Sequence, residues 1–216
     1  MATLTNVHLR YKELISKPAK QNPIVIGVGC AGTGKTQIAC QVGIDKLIKR
    51  EVGKLIITRP AITVDENHGF LPGKIDQKML PYMKPMYDGM LEYVSYNTLK
   101  SFLSDEKIEI CPFSYMRGRT FHNAFIIADE VQNTTKIQMQ TLLTRIGKNT
   151  KIVLTGDLSQ CDLNLKSKNG MQDILDRCEN LFNTSDEICI DIIKFSDKDI
   201  LRSDVCKKLI SLYNTD

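Results

Sequence analysis

The chain has 216 residues, 42% hydrophobic and 25% charged, which fits one globular domain with a sizeable core and excludes a disordered or fibrous chain. Its net charge of +4 permits a nucleic-acid partner without demanding one. Seven scattered cysteines and three histidines far apart in sequence argue against a disulfide framework or a zinc site and for a reducing compartment. The N-terminal stretch lacks the apolar core of a signal peptide, and no apolar run reaches membrane-spanning length. A cytoplasmic protein with no membrane association is therefore expected.

In chain order, Ile24 to Val28 reads as a buried strand and Lys35 to Lys49 as a helix. Lys54 to Thr58 is a second strand. The segment at about 59–103 carries four prolines and reads as an inserted loop and helix pair between strands. Phe125 to Ala128 is a third strand, followed by a helix near Lys136 to Arg145. Lys151 to Thr155 is a fourth strand, with a helix near Met171 to Cys178. Glu187 to Ile193 gives a last strand and Asp204 to Tyr213 a closing helix. Strands apolar throughout are buried on both faces, as in a parallel sheet covered by helices. Their alternation with helices predicts an α/β fold over a single domain, residues 1–216. Met79, Met83, Met86 and Met90 recur at helical spacing and read as packing residues.

Three motifs carry chemistry. Gly29-Cys30-Ala31-Gly32-Thr33-Gly34-Lys35-Thr36 satisfies G-x-x-x-x-G-K-[ST] between a strand and a helix, the setting a phosphate-binding loop requires. Its glycines let successive N–H groups point at phosphate oxygens, and the helix start adds its positive dipole end. Lys35 is placed to reach the β- and γ-phosphates and Thr36 to ligate Mg²⁺. Asp129-Glu130 ends the third strand. Asp129 is expected near the metal and Glu130 as the base that polarises the attacking water. Thr155-Gly156-Asp157-Leu158-Ser159-Gln160 ends the next strand, with Gln160 as γ-phosphate sensor and Asp157 supporting the metal shell. Each pair or turn alone has a bland reading as a solvated acid pair or an ordinary turn. Their order along the chain favours the functional one.

The strings GTGKT, DEVQN and GDLSQ resemble motifs I, II and III of the superfamily 1 helicase core. Arg59-Pro60-Ala61, His68-Gly69-Phe70-Leu71-Pro72-Gly73, Met116-Arg117-Gly118-Arg119-Thr120 and Leu143-Thr144-Arg145-Ile146-Gly147 narrow the resemblance to the PhoH-like family. Asp199 and Arg202 fall where that family carries a D-x-x-R element. His8-Leu9-Arg10-Tyr11 falls where family members often carry Q-x-x-Y, an element suited to reading adenine. Cys30 stands where the family usually has proline and offers a thiol to thiol reagents.

The resemblance implies a RecA-like P-loop NTPase domain, with helices on both faces of a mostly parallel sheet, that binds ATP and Mg²⁺ and hydrolyses ATP. It assigns Gly29 through Gln37 to the nucleotide, Thr36 and Asp129 to the metal, and Lys35, Asp129, Glu130 and Gln160 to catalysis. The second core domain that supplies arginines in a helicase does not fit within 216 residues. An arginine from a neighbouring copy is therefore expected, Arg145 and Arg202 before Arg117 and Arg119, in a homo-oligomer that the family suggests is a hexameric ring. RNA or single-stranded DNA is the implied client, with Arg117 and Arg119 as alternative phosphate contacts. An ATP-loaded switch or scaffold with little turnover is the second reading.

Overall fold

A computed structural model describes residues 4–60, 75–162, 169–181, 190–202 and 205. Six helices and six strands follow in chain order: α1 (Asn6–Ser16), β1 (Ile24–Val28), α2 (Lys35–Ile48), β2 (Lys54–Thr58), α3 (Ile75–Leu91), α4 (Tyr96–Ser104), β3 (Ile108–Ile110), β4 (Ala124–Ala128), α5 (Lys136–Leu143), β5 (Lys151–Gly156), α6 (Gly170–Leu181) and β6 (Ile190–Lys194). The strands form one sheet in the order β3-β2-β4-β5-β1-β6, and every pairing is parallel.

Successive side chains of a strand point to opposite faces, and here each set meets its own layer of helices. Val25, Leu55, Ile57, Phe125, Ile127 and Val153 pack with buried residues of α1 to α4. Ile26, Ile56, Ile126, Ile152 and Leu154 pack with Met139 and Leu142 of α5 and Met171, Ile174 and Leu175 of α6. Two cores, one on each face, explain why the strands are apolar throughout. Met83, Met86 and Met90 of α3 are fully buried in the first core, as their spacing predicts.

Sequence reasoning leaves α1 and β3 unassigned. β3 has only three residues, too few to show a period. In α1, His8, Tyr11, Leu14 and Ile15 are buried at helical spacing, but a histidine and a tyrosine dilute the apolar stripe. The last strand is described over Ile190–Lys194, and the part of the expected strand from Glu187 to Cys189 lies outside the described set. The closing helix expected over Asp204 to Tyr213 lies outside it too, except for Val205, and so does the segment with His68 and Gly69.

A parallel sheet brings all strand C-termini to one edge. Because β5 sits between β1 and β4, the ends of β1, β5, β4 and β2 are consecutive there, each about 4.8 Å from the next. The three motifs and Arg59 are thereby collected into one cleft.

Candidate functional site

β1 runs into the turn that opens α2. Gly32 and Gly34 in that turn have φ of +80° and +74°, a region glycine enters without a Cβ penalty. A Cβ on Gly32 would lie 2.6 Å from Arg202 Nε, and one on Gly34 would lie 2.8 Å from Leu201 Cδ1. Both glycines thus also admit the segment that follows β6. Thr33 is buried, and its hydroxyl donates to the Cys30 carbonyl at 3.0 Å. The Lys35 ammonium donates to the Gly29 and Cys30 carbonyls, both at 2.7 Å, and to Thr33 Oγ1 at 3.0 Å. Burial draws Lys35 below the usual lysine range, against the upward pull of Asp157, Cys30, Asp129 and Glu130.

Asp129, at the end of β4, accepts hydrogen bonds on Oδ1 from Thr36 and Thr155, both at 2.7 Å. One carboxylate and two hydroxyls from α2, β4 and β5 form a hard-oxygen set, which suits Mg²⁺ rather than a softer ion. Sequence reasoning does not single out Thr155. The available signal is a polar residue at the end of an otherwise apolar strand.

Glu130 has φ of +55°, sparsely occupied by non-glycine residues. Its Oε1 lies 3.1 Å from Arg59 Nη2, and its Oε2 accepts from Gln132 Nε2 at 2.5 Å. Gln132 is fully buried. Its Oε1 accepts from the Asp157 backbone N–H at 3.1 Å, while Nε2 also approaches the Gln160 carbonyl at 3.4 Å. Gln132 therefore joins the end of β4 to the end of β5. Arg59 and Gln132 sit inside the quoted strings, but no spacing rule marks them.

Asp157 departs from expectation. Its Oδ2 accepts from the Ala31 backbone N–H at 3.0 Å, and its Oδ1 takes the Ser159 N–H at 3.0 Å and the Ser159 hydroxyl at 2.7 Å. With both oxygens held by these donors, Asp157 braces the P-loop against β5 and stays out of the oxygen set around Asp129.

These groups enclose a cleft of about 430 Å³, lined among others by Ala31, Lys35, Thr36, Gln37, Glu130, Gln160, Arg59 and Arg202. α3 adds Asp88 and Gly89 to the wall, the turn after it adds Glu92, and Gln37 Nε2 donates to Glu92 at 2.5 Å.

The two favoured arginines separate. Arg202 lines the chain's own cleft. Arg145 does not: it donates to the Thr141 carbonyl (3.1 Å), the Arg119 carbonyl (3.0 Å) and Thr144 Oγ1 (3.0 Å), closing the end of α5. Arg119 pairs with Glu109 and covers the Phe121 ring at 4.7 Å. Arg117 is exposed.

His8 and Tyr11 are fully buried, and neither lines the cleft. His8 Nε2 lies 2.9 Å from the Thr33 carbonyl, and Tyr11 packs edge-on against Phe195 at 5.3 Å. They support the loop from behind, so adenine reading does not follow from their position. Cys30 is also corrected. Burial, then a hydrogen bond and the charge of Asp197, push its thiol up to about 11. The group stays protonated and is a poor target for thiol reagents.

A family model described as PhoH-like protein matches residues 4–214. Protein PhoH of Escherichia coli (strain K12) is 39% identical over 200 residues, covering 92% of this chain and 55% of that protein. The PhoH-like protein of Bacillus subtilis (strain 168) is 37% identical over 195 residues, covering 90% of this chain and 59% of that protein. The chain spans little more than half the length of these curated relatives. Among solved structures, the large terminase from a thermophilic bacteriophage aligns with a TM-score of 0.61 at 12% identity, over 99% of this chain and 51% of that one. The Sulfolobus solfataricus SWI2/SNF2 ATPase core aligns with a TM-score of 0.51 at 14% identity, over 93% of this chain and 47% of that one. At such identities the likeness speaks to the fold, a RecA-like P-loop NTPase domain. With nearly its whole length matched, the chain belongs to the PhoH-like protein family.

Proposed function

We propose that the chain binds ATP with Mg²⁺ in this cleft and hydrolyses it. The observation that carries the reading is the 2.7 Å contact between Thr36 and Asp129, with Lys35 and Glu130 beside them. It joins the phosphate loop to a carboxylate pair from a strand two places away in the sheet.

In this reading the backbone N–H groups of the turn and the Lys35 ammonium bind the phosphates, whose oxygens replace the carbonyls that Lys35 now contacts. Thr36 and Asp129 hold Mg²⁺, with Thr155 orienting the Asp129 carboxylate. When bound, the ion supplies charge neutralisation on the phosphate oxygens. Glu130 takes a proton from the attacking water. Gln132 orients Glu130, and Gln160 senses the terminal phosphate. Arg202 adds positive charge at the loop. Arg202 and Arg59 line the chain's own cleft, which supports an arginine supplied by the same chain beside the reading in which a neighbouring copy in a hexameric ring supplies one.

The Arg59–Glu130 ion pair favours a second reading, an ATP-loaded switch with little turnover, because it occupies one oxygen of the carboxylate that would meet the attacking water. RNA or single-stranded DNA fits as the client. Tyr115, 52% exposed, and the exposed Arg117 offer a ring and a cation on either side of Met116 in the segment after β3.

Phosphate release from ATP and Mg²⁺, with and without single-stranded RNA, tests these readings. Glu130→Gln is expected to lose turnover by about a hundredfold or more while keeping nucleotide binding. Tight binding with no turnover in either protein would favour the switch. RNA stimulation that falls in Arg117→Ala would identify the client.

A further inference from the structure

A closed circuit of bonds passes through the P-loop and two elements on its far side. The Thr33 carbonyl accepts from His8 Nε2 at 2.9 Å. His8 Nδ1 accepts the backbone N–H of Thr5 at 3.0 Å, which assigns the ring proton to Nε2 and makes that nitrogen the donor. The Thr5 hydroxyl donates to Asp199 Oδ1 at 2.6 Å. Asp199 is 4% exposed, and its Oδ2 takes the N–H and hydroxyl of Ser196 at 2.9 and 3.0 Å. Two residues further on, the Leu201 N–H donates to the Gly32 carbonyl at 2.9 Å. Arg202 follows, with its side chain over the Gly32 α-carbon. The circuit thus ends one residue from where it began.

We infer that Thr5 and His8 are positioning residues that fix Arg202 over the phosphate loop, so that the site takes its arginine from its own chain. The inference rests on the reading of the cleft as an ATP site. Arg202 itself lies outside the regular elements, so no helix or strand ladder fixes its backbone. A charge acts on a reaction most strongly when its place is set beforehand. Here Asp199 and the Leu201–Gly32 bond set that place. Thr5 satisfies one oxygen of the buried Asp199 carboxylate, and His8 holds Thr5 and Thr33 in register. Burial opposes the charge on Asp199, yet the bonds from Thr5 and Ser196 hold it below the usual carboxylate range. The carboxylate therefore stays ionised and keeps accepting both sets of bonds. Without the Thr5 hydroxyl, a buried charge loses a partner and the segment carrying Arg202 is released to seek another.

The test is a double-mutant cycle on the full chain, reading kcat and KM for ATP with Mg²⁺ and the thermal melt. Thr5→Val is expected to lower kcat about tenfold with KM changed less than about twofold. Arg202→Ala should lower kcat at least as far, and the Thr5→Val/Arg202→Ala double variant should be no slower than Arg202→Ala alone. His8→Gln should retain turnover near wild type. Its amide oxygen accepts the Thr5 N–H as in a capping box, while its amide nitrogen donates to Thr33. Specific activity should not change with protein concentration. Losses that multiply in the double variant, full activity in Thr5→Val, or activity that rises steeply with concentration would each overturn the inference. Should Thr5→Val lose its cooperative melt, Asp199→Asn takes its place in the cycle with the same expected outcomes. A wild-type chain that neither binds a fluorescent ATP analogue nor releases phosphate overturns the underlying reading as well, and does so before any variant is made.

Discussion

Glu130 sits in a left-handed conformation at the end of β4, with one carboxylate oxygen on Arg59 and the other on Gln132. Such backbone strain persists only where the surroundings over-determine it, and the buried Gln132, tied to both Glu130 and Asp157, is what holds it here. Cys30 shows the opposite case of a residue whose place in the motif promises reactivity and whose surroundings remove it. With the thiol raised to about 11 by burial and Asp197, the thiolate is scarce at neutral pH. Iodoacetamide at about pH 8 should label Cys30 about tenfold more slowly than free cysteine, or slower still. Peptide mapping by mass spectrometry measures the rate. Labelling at the free-thiol rate would show that the thiol is not raised and contradict this arrangement.

The elements owe their places to contacts that local propensity does not describe. Gly43 lies within α2, where alanine would gain about 1 kcal/mol of helix propensity. A Cβ there would lie 2.9 Å from Leu55 Cδ1 and 3.2 Å from Phe125 Cδ1, both fully buried on the sheet. The glycine lets the helix carrying Lys35 and Thr36 sit close upon β2 and β4. Gly43→Ala is therefore expected to destabilise the fold by about 1 kcal/mol or more, since overpacking a dense core outweighs the helix gain. Chemical denaturation of the two proteins measures the difference, and a stabilised variant would show that the helix has room to shift outward. α1 works the same way at a distance. Its first turn holds the P-loop through His8, and the carbonyls of Leu14 in its last turn and of Lys17 just after it accept from Lys151 at 2.8 and 3.0 Å.

That last contact sets a property of the whole molecule. Burial, the nearby Lys46 and then Lys17 lower Lys151 to about 7, with Asp191 opposing. In the unfolded chain a lysine stays protonated to about 10.5. Between these values the unfolded state holds the extra proton, so a rise in pH favours the folded state. Stability should climb from about pH 7 to about pH 9, below the range where the raised cysteines act in the opposite direction. Lys151→Met should flatten that slope. Urea titrations across the window read it directly, and an equal slope in both proteins would mean that Lys151 is charged in the fold. Among the described residues no helix is long and apolar enough to cross a membrane, and both faces of the sheet are covered by helices.

Sequence alone determined the strand–helix alternation, the parallel sheet and the three motifs. Each depends on a local period or spacing, and a buried parallel strand or a phosphate-binding turn requires its residues in sequence order. Only the tertiary structure decided that β5 lies between β1 and β4, and hence that Thr155 and not Asp157 joins Thr36 at Asp129. It alone sent Arg202 to the chain's own P-loop and Arg145 to the end of α5. Which oxygen a hydroxyl reaches, and which way an arginine turns, depends on neighbours far away in the chain. Thr5 and Asp199 lie 194 residues apart and meet at 2.6 Å, because β6 pairs beside β1 and α1 packs against both.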